Sequence, residues 1–233
     1  MSVSDLVLVQ GMEDTRIALH RFRQTPARTL APWLALSFAI ACVLLFAVWV
    51  VAISTTADPT PFPLAGITYD PTGIDYVHIL YRNSLVLALH AMACVAGFMA
   101  GSSLPLSAAN RSGIDRWVHQ KAGPLAIAFV SLATLVSLST QAYAIGIIAS
   151  STAGQLGISP ALLILGLVPH AIPELVALFL PLAAWMIASR RREWDHLLAA
   201  TAVCVAVAVP VLLASAATEL WISPGLIRAL AGV

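Results

Sequence analysis

Five long apolar runs, separated by short polar stretches, set the pattern of the chain. They fall near Trp33–Ser54, Ser84–Leu106, Pro124–Ala149, Ala161–Ala188 and Leu197–Trp221. Each is long enough to cross a bilayer as a helix, which takes roughly 20 apolar residues. The pattern predicts an all-α polytopic transmembrane bundle over residues 33–225. Before it, residues 1–32 mix Leu6, Val7, Val9, Ile17, Leu19 and Phe22 with Glu13, Asp14, Arg16, Arg21 and Arg23. Such mixing predicts one or two amphipathic helices lying on the membrane surface. Thr25-Pro26 and Ser159-Pro160 each read as a helix cap followed by proline at the first helical position. Between the first two spans, Asp70-Pro71-Thr72-Gly73 reads as a turn, and Ile74–Tyr81 as a short amphipathic surface helix. Ser223-Pro224-Gly225 reads as a turn into a short external tail, 226–233.

Charge adds an orientation. Arg16, Arg21, Arg23 and Arg28 precede the first span. Arg111, Arg116 and Lys121 lie between the second and third, and Arg190, Arg191 and Arg192 follow the fourth. Ten of the twelve Lys and Arg residues therefore fall on one side, leaving Arg82 and Arg228 on the other. By the positive-inside rule the N-terminus is expected inside and the C-terminus outside. The composition agrees with the class: of 233 residues, 60% are hydrophobic and 10% charged, with mean hydropathy +0.90. The partner this implies is the lipid bilayer. A net charge of +1 carries no nucleic-acid signature. Cys42, Cys94 and Cys204 all sit inside spans, where free cysteine acts as a small apolar packer. Trp33 and Trp49 stand near the ends of the first span, where interfacial aromatics belong. Gly97-Phe98-Met99-Ala100-Gly101 is a G-x-x-x-G pattern, read as close intramolecular helix packing.

The candidate chemistry is what interrupts the apolar runs. Val168-Pro169-His170-Ala171-Ile172-Pro173-Glu174-Leu175 places a histidine and a carboxylate four residues apart between two prolines. Prolines 169, 173 and 210 are expected to kink their helices, because each removes a backbone donor. Counted at ~1.5 Å per residue, His90 and Gln141 lie roughly 10 Å from the outer ends of spans two and three, and His170 roughly 13 Å in on span four. Glu174 is deeper, and Glu219 is nearer the surface on span five. Polar groups in hydrocarbon are costly and should face one another inside the bundle. His90, Gln141, His170, Glu174 and Glu219 are therefore expected to form one intramembrane cluster.

Three readings of that cluster stay open. It could be a hydrogen-bonded network that fixes helix packing. It could be a metal-dependent hydrolytic site, with His90, His170, Glu174 and Glu219 as ligands to zinc. It could also be a relay or binding site in transport.

Three stretches carry a family resemblance: Asn83-Ser84, Leu167–Leu175 and Ala216–Pro224. Together they resemble the stage II sporulation protein M family of bacterial and archaeal membrane proteins, over roughly residues 30–225. The central stretch is similar to that family's L-P-H-G-x-x-E-L signature, with Ala171 in place of its glycine and Pro173 added. The last stretch is similar to its A-A-x-I-E-x-F-I-T-P, with Thr218 in place of isoleucine. The resemblance implies a multi-pass cell-membrane protein. It would be a subunit of an envelope complex, a scaffold or a transport-associated component, partnered by other membrane proteins or by a second copy of itself. It singles out His170, Glu174 and Glu219.

Overall fold

The computed structural model describes residues 7–103 and 113–232. The described residues are 87% helical and contain no strand, only an isolated bridge between Ala65 and Tyr69. In order, the helices are α1 (Val7–Gln24), α2 (Pro26–Ser54), α3 (Gly73–Phe98), α4 (Gly113–Leu156), α5 (Pro160–Arg191), α6 (Leu197–Trp221) and α7 (Ser223–Ala231). A π-helical turn, Met99–Ser103, extends α3, and a 3₁₀ turn, Trp194–His196, precedes α6. Five helical stretches are long and apolar enough to span a membrane, in agreement with the predicted class. The 29 residues of α2 give roughly 43 Å at 1.5 Å per residue, more than a hydrocarbon core of ~30 Å requires.

Several boundaries differ from the sequence reading. Ile74–Tyr81 is not a separate surface helix but the first two turns of α3. The reason is a cap. Asp75 Oδ2 accepts from the Thr72 backbone N–H at 2.8 Å and from its hydroxyl at 2.7 Å, while the Asp75 N–H reaches back to Thr72 Oγ1 at 3.4 Å. This reciprocal arrangement satisfies first-turn donors and starts the helix at Gly73. Tyr69 donates to Asp75 Oδ1 at 3.0 Å, and that bond raises the Tyr69 phenol above its ordinary pKa. Helix α4 begins at Gly113, before the expected Pro124, and runs past Ala149 to Leu156. The expected turn at Ser223–Gly225 is the first turn of α7, with Pro224 in it and Gly232 closing the helix in the left-handed region at φ 74°. Both helices open at the expected prolines, α2 at Pro26 and α5 at Pro160; Ser159 Oγ caps α5 by accepting from the Leu162 N–H at 3.3 Å, whereas the Thr25 hydroxyl donates back to the Arg21 carbonyl at 3.4 Å and does not cap α2.

The residues divide into two compact units, each built from three separate stretches. Unit one comprises Met1–Ser37, Leu87–Thr134 and Phe179–Ala208. Its core is Trp33, Leu180, Ala184, Ala200 and Cys204, flanked by Phe22, Leu30, Ile187, Val203 and Val207. Trp33 is therefore a core residue, 7% exposed, rather than an interfacial anchor. Its indole meets Phe22 of α1 edge to face at 5.5 Å, a favourable aromatic geometry. On α3 the stripe Leu87, His90, Ala93, Cys94, Gly97 and Phe98 is buried, at the three- and four-residue spacing of one helix face. Gly97 makes room for the indole of Trp185, and Gly101 for that of Trp194. The G-x-x-x-G pattern thus admits two tryptophans.

Unit two comprises Phe38–Val86, Leu135–Leu178 and Val209–Val233. Polar bonds at helix ends hold its connections. Ser150 Oγ donates to the Thr55 carbonyl at 2.8 Å, Ser151 Oγ accepts from the Asp58 N–H at 3.1 Å, and Gln155 donates to the Thr60 carbonyl at 2.8 Å. The Thr60 N–H bonds Asp58 Oδ1 at 2.8 Å and holds that carboxyl below its ordinary pKa. Gly66, at φ 76°, lies against Pro224 and the Leu220 carbonyl, and its own carbonyl accepts from Arg228 at 2.8 Å. These bonds satisfy backbone groups of the segment 55–72, between α2 and α3, that no helix or strand pairs.

Candidate functional site

Unit two collects the polar side chains that the apolar runs could not account for. Helix α5 carries His170 and Glu174 four residues apart, hence on one face. Helix α6 brings Glu219 and α7 brings Ser223, also four residues apart in sequence. Helix α3 brings Arg82 and Asn83.

His170 and Ser223 form the tightest contact. His170 Nδ1 lies 2.6 Å from Ser223 Oγ, with the two residues 7% and 1% exposed. This bond links α5 to α7 in a place water hardly reaches. A buried imidazole nitrogen without such a partner would carry the full desolvation cost of a polar group. One turn further along α5, Glu174 lies within Coulombic reach of Glu219 and of the exposed Arg82. Arg82 acts on Glu219 as well. The Asn83 amide stands beside the Glu174 carboxyl, yet neither Asn83 Nδ2 nor Glu174 Oε2 completes a hydrogen bond. Two carboxyls, one guanidinium and one amide, from three helices, thus influence one another electrostatically.

Two members of the expected cluster sit elsewhere. His90 belongs to unit one, where it is 3% exposed and packs edge to face on Phe179 with ring centroids 5.5 Å apart. Gln141 turns to its own helix, donating to Ser137 Oγ at 3.0 Å. Depth along the helix axis places these groups at comparable levels, but rotation about the axis decides what each side chain meets. Among the described residues no three His, Cys, Asp or Glu side chains converge in a way that could hold a metal ion. Ser223 was not among the sequence candidates because Ser-Pro-Gly reads as turn chemistry.

The prolines do not end their helices. Helix α5 runs without interruption through Pro169 and Pro173, and α6 through Pro210. All three rings are on exposed positions, so they turn outward while His170 turns in. Cys94 and Cys204 are buried, as expected for apolar packers, whereas Cys42 is exposed. In unit one the Cys94 thiol donates to the Pro181 carbonyl at 3.1 Å.

No protein-family model, no curated protein and no solved structure matches this chain.

Proposed function

We propose that this chain is a non-enzymatic membrane subunit, a scaffold or transport-associated component of an envelope complex. The observation that carries this reading is the His170–Ser223 bond, 2.6 Å long and almost fully buried. The His170–Ser223 pair is spent on holding α5 to α7, which is what a helix-fixing bond does. The resemblance of His170, Glu174 and Glu219 to the stage II sporulation protein M motif supports the same assignment.

Exposed apolar side chains are the natural surface for lipid or for a membrane partner. On α4, Phe129 and Leu132 in unit one and Leu135, Val136 and Tyr143 in unit two are all more than half exposed, an arrangement that only hydrocarbon or another protein covers well. The orientation that goes with this reading places the N-terminus in the cytoplasm of the cell and the C-terminus outside. It draws on the same charge asymmetry: Arg16, Arg21, Arg23, Arg28 and Arg190–Arg192 all belong to unit one, and Arg82 and Arg228 to unit two.

The test is cross-linking in native membranes from photoreactive residues placed at Phe129 and Val136, followed by solubilisation and mass determination of the complex. The expected product is a complex of defined stoichiometry with another integral membrane protein or with a second copy. A protein that cross-links only to lipid from both positions and leaves the membrane as a monomer overturns the proposal. A C-terminal reporter active only outside the cell checks the orientation.

A further inference from the structure

Unit one holds a cavity of about 210 Å³ whose wall carries Arg21 from α1, Arg28 from the start of α2, Arg191 from the end of α5, and His196. Its floor is apolar, including Trp33, Ala184 and Ala200. The hydroxyl-bearing residues Thr25 and Thr29 also face it, and Glu193 is its one carboxylate.

None of the three guanidiniums has an ion pair or a side-chain hydrogen bond among the described residues. Asp195 lies 3.4 Å from His196 and is not part of the wall. Arg21, Arg28 and Arg191 are exposed residues around one small cavity, so three like charges share its mouth and repel one another. An anion in the middle reverses the sign of that repulsion. Guanidinium groups suit a phosphate in particular, because each offers two parallel N–H donors to two oxygens.

We propose that this cavity binds a phosphate-bearing anion, held by Arg21, Arg28 and Arg191. The phosphate has two natural sources, an anionic lipid headgroup or a free phosphate. The surroundings suit the lipid. Arg21 also lines a neighbouring cleft of about 1360 Å³ with Val95, Phe98, Met99 and Leu198, where hydrocarbon would lie beside the guanidinium that takes the headgroup. The anion would add a polar tie among α1, α2 and α5 to the apolar one that Phe22 already makes with Trp33.

The experiment uses the full chain purified in a mild detergent. Binding of phosphatidylglycerol and of phosphatidylcholine is measured by native mass spectrometry. Inorganic phosphate is added separately in a thermal-shift arm. The decisive comparison is Arg28→Gln with Arg191→Gln against Arg190→Gln with Arg192→Gln. Both pairs remove the same charge from the same region, but only the first removes it from the cavity wall. Phosphatidylglycerol affinity is expected to fall at least about tenfold further in the first pair than in the second: diffuse surface charge acts alike on every basic residue of the region and lowers both pairs equally, so a tenfold difference, about 1.4 kcal/mol, belongs to the cavity. Arg28→Lys with Arg191→Lys keeps the charge, loses the planar fork and should bind with intermediate affinity. It serves as the reading if the Gln pair fails to fold. If phosphatidylglycerol is not preferred, but inorganic phosphate stabilises the wild type and not the cavity pair, the site stands with a free anion as its ligand. Equal losses in both Gln pairs would reduce the effect to diffuse surface charge and overturn the proposal. So would a wild type indifferent to both ligands.

Discussion

Replacing Ser223 by alanine removes one oxygen atom and leaves His170 Nδ1 buried without the partner that now stands 2.6 Å away. In a water-soluble protein an orphaned buried polar group costs about 1–3 kcal/mol. Inside a bilayer the figure is smaller, because helices separated in the membrane still find other partners: interhelical hydrogen bonds there average about 0.6 kcal/mol and reach about 1.7. The short distance and the near-complete burial of both residues place this bond toward the upper end, so Ser223→Ala should destabilise the protein by about 1–1.5 kcal/mol. The lost hydroxyl is too small for a cavity term to dominate. The assay is reversible unfolding in bicelles, run as a double-mutant cycle with His170→Leu. The double variant removes both polar partners, so its cost should fall short of the sum of the single costs by about 0.5–1.5 kcal/mol. A coupling below about 0.3 kcal/mol, the level at which independent sites add, would mean that the two side chains do not depend on each other. The helix-fixing account of unit two would then be wrong.

Other outcomes follow from the same coordinates. A Cβ at Gly97 would lie 2.7 Å from Trp185 and 2.9 Å from Leu197, whereas one at Gly73 meets nothing within 4 Å. Gly97→Ala should therefore cost about 1–3 kcal/mol by overpacking, and Gly73→Ala less than about 0.5 kcal/mol; equal melting temperatures for the two would contradict the packing described. Asp75→Ala should lower stability by about 1 kcal/mol through loss of the cap at the start of α3, and hydrogen exchange should rise at Ile74–Val77 while staying unchanged at Ala93–Gly97. Glu174→Gln should leave the fold intact and raise its melting temperature, because it removes a charge that burial and Glu219 both disfavour; a marked loss of stability would show that the charge is held by a contact worth more than the repulsion.

What the sequence determined by itself is the part governed by single-helix physics. Apolar runs of sufficient length specify the five membrane-length helices, because a backbone in hydrocarbon must satisfy its own hydrogen bonds. The starts at Pro26 and Pro160 were legible from the prolines, which suit a first helical position, and Ser159 caps α5 as read, whereas the Thr25 hydroxyl turns back to the Arg21 carbonyl. The start at Gly73 was equally local but went unread, since Thr72 and Asp75 form their reciprocal pair inside what looks like a turn. Within the site, His170, Glu174 and Glu219 stood out because polar groups in apolar runs are expensive. What only the tertiary structure decided is which of them meet. Depth is a matter of counting residues, but the azimuth of each side chain depends on how the helices are rotated and packed. That rotation sends Gln141 to its own helix, seats His90 on Phe179, and gives His170 a serine that its sequence surroundings disguise as part of a turn.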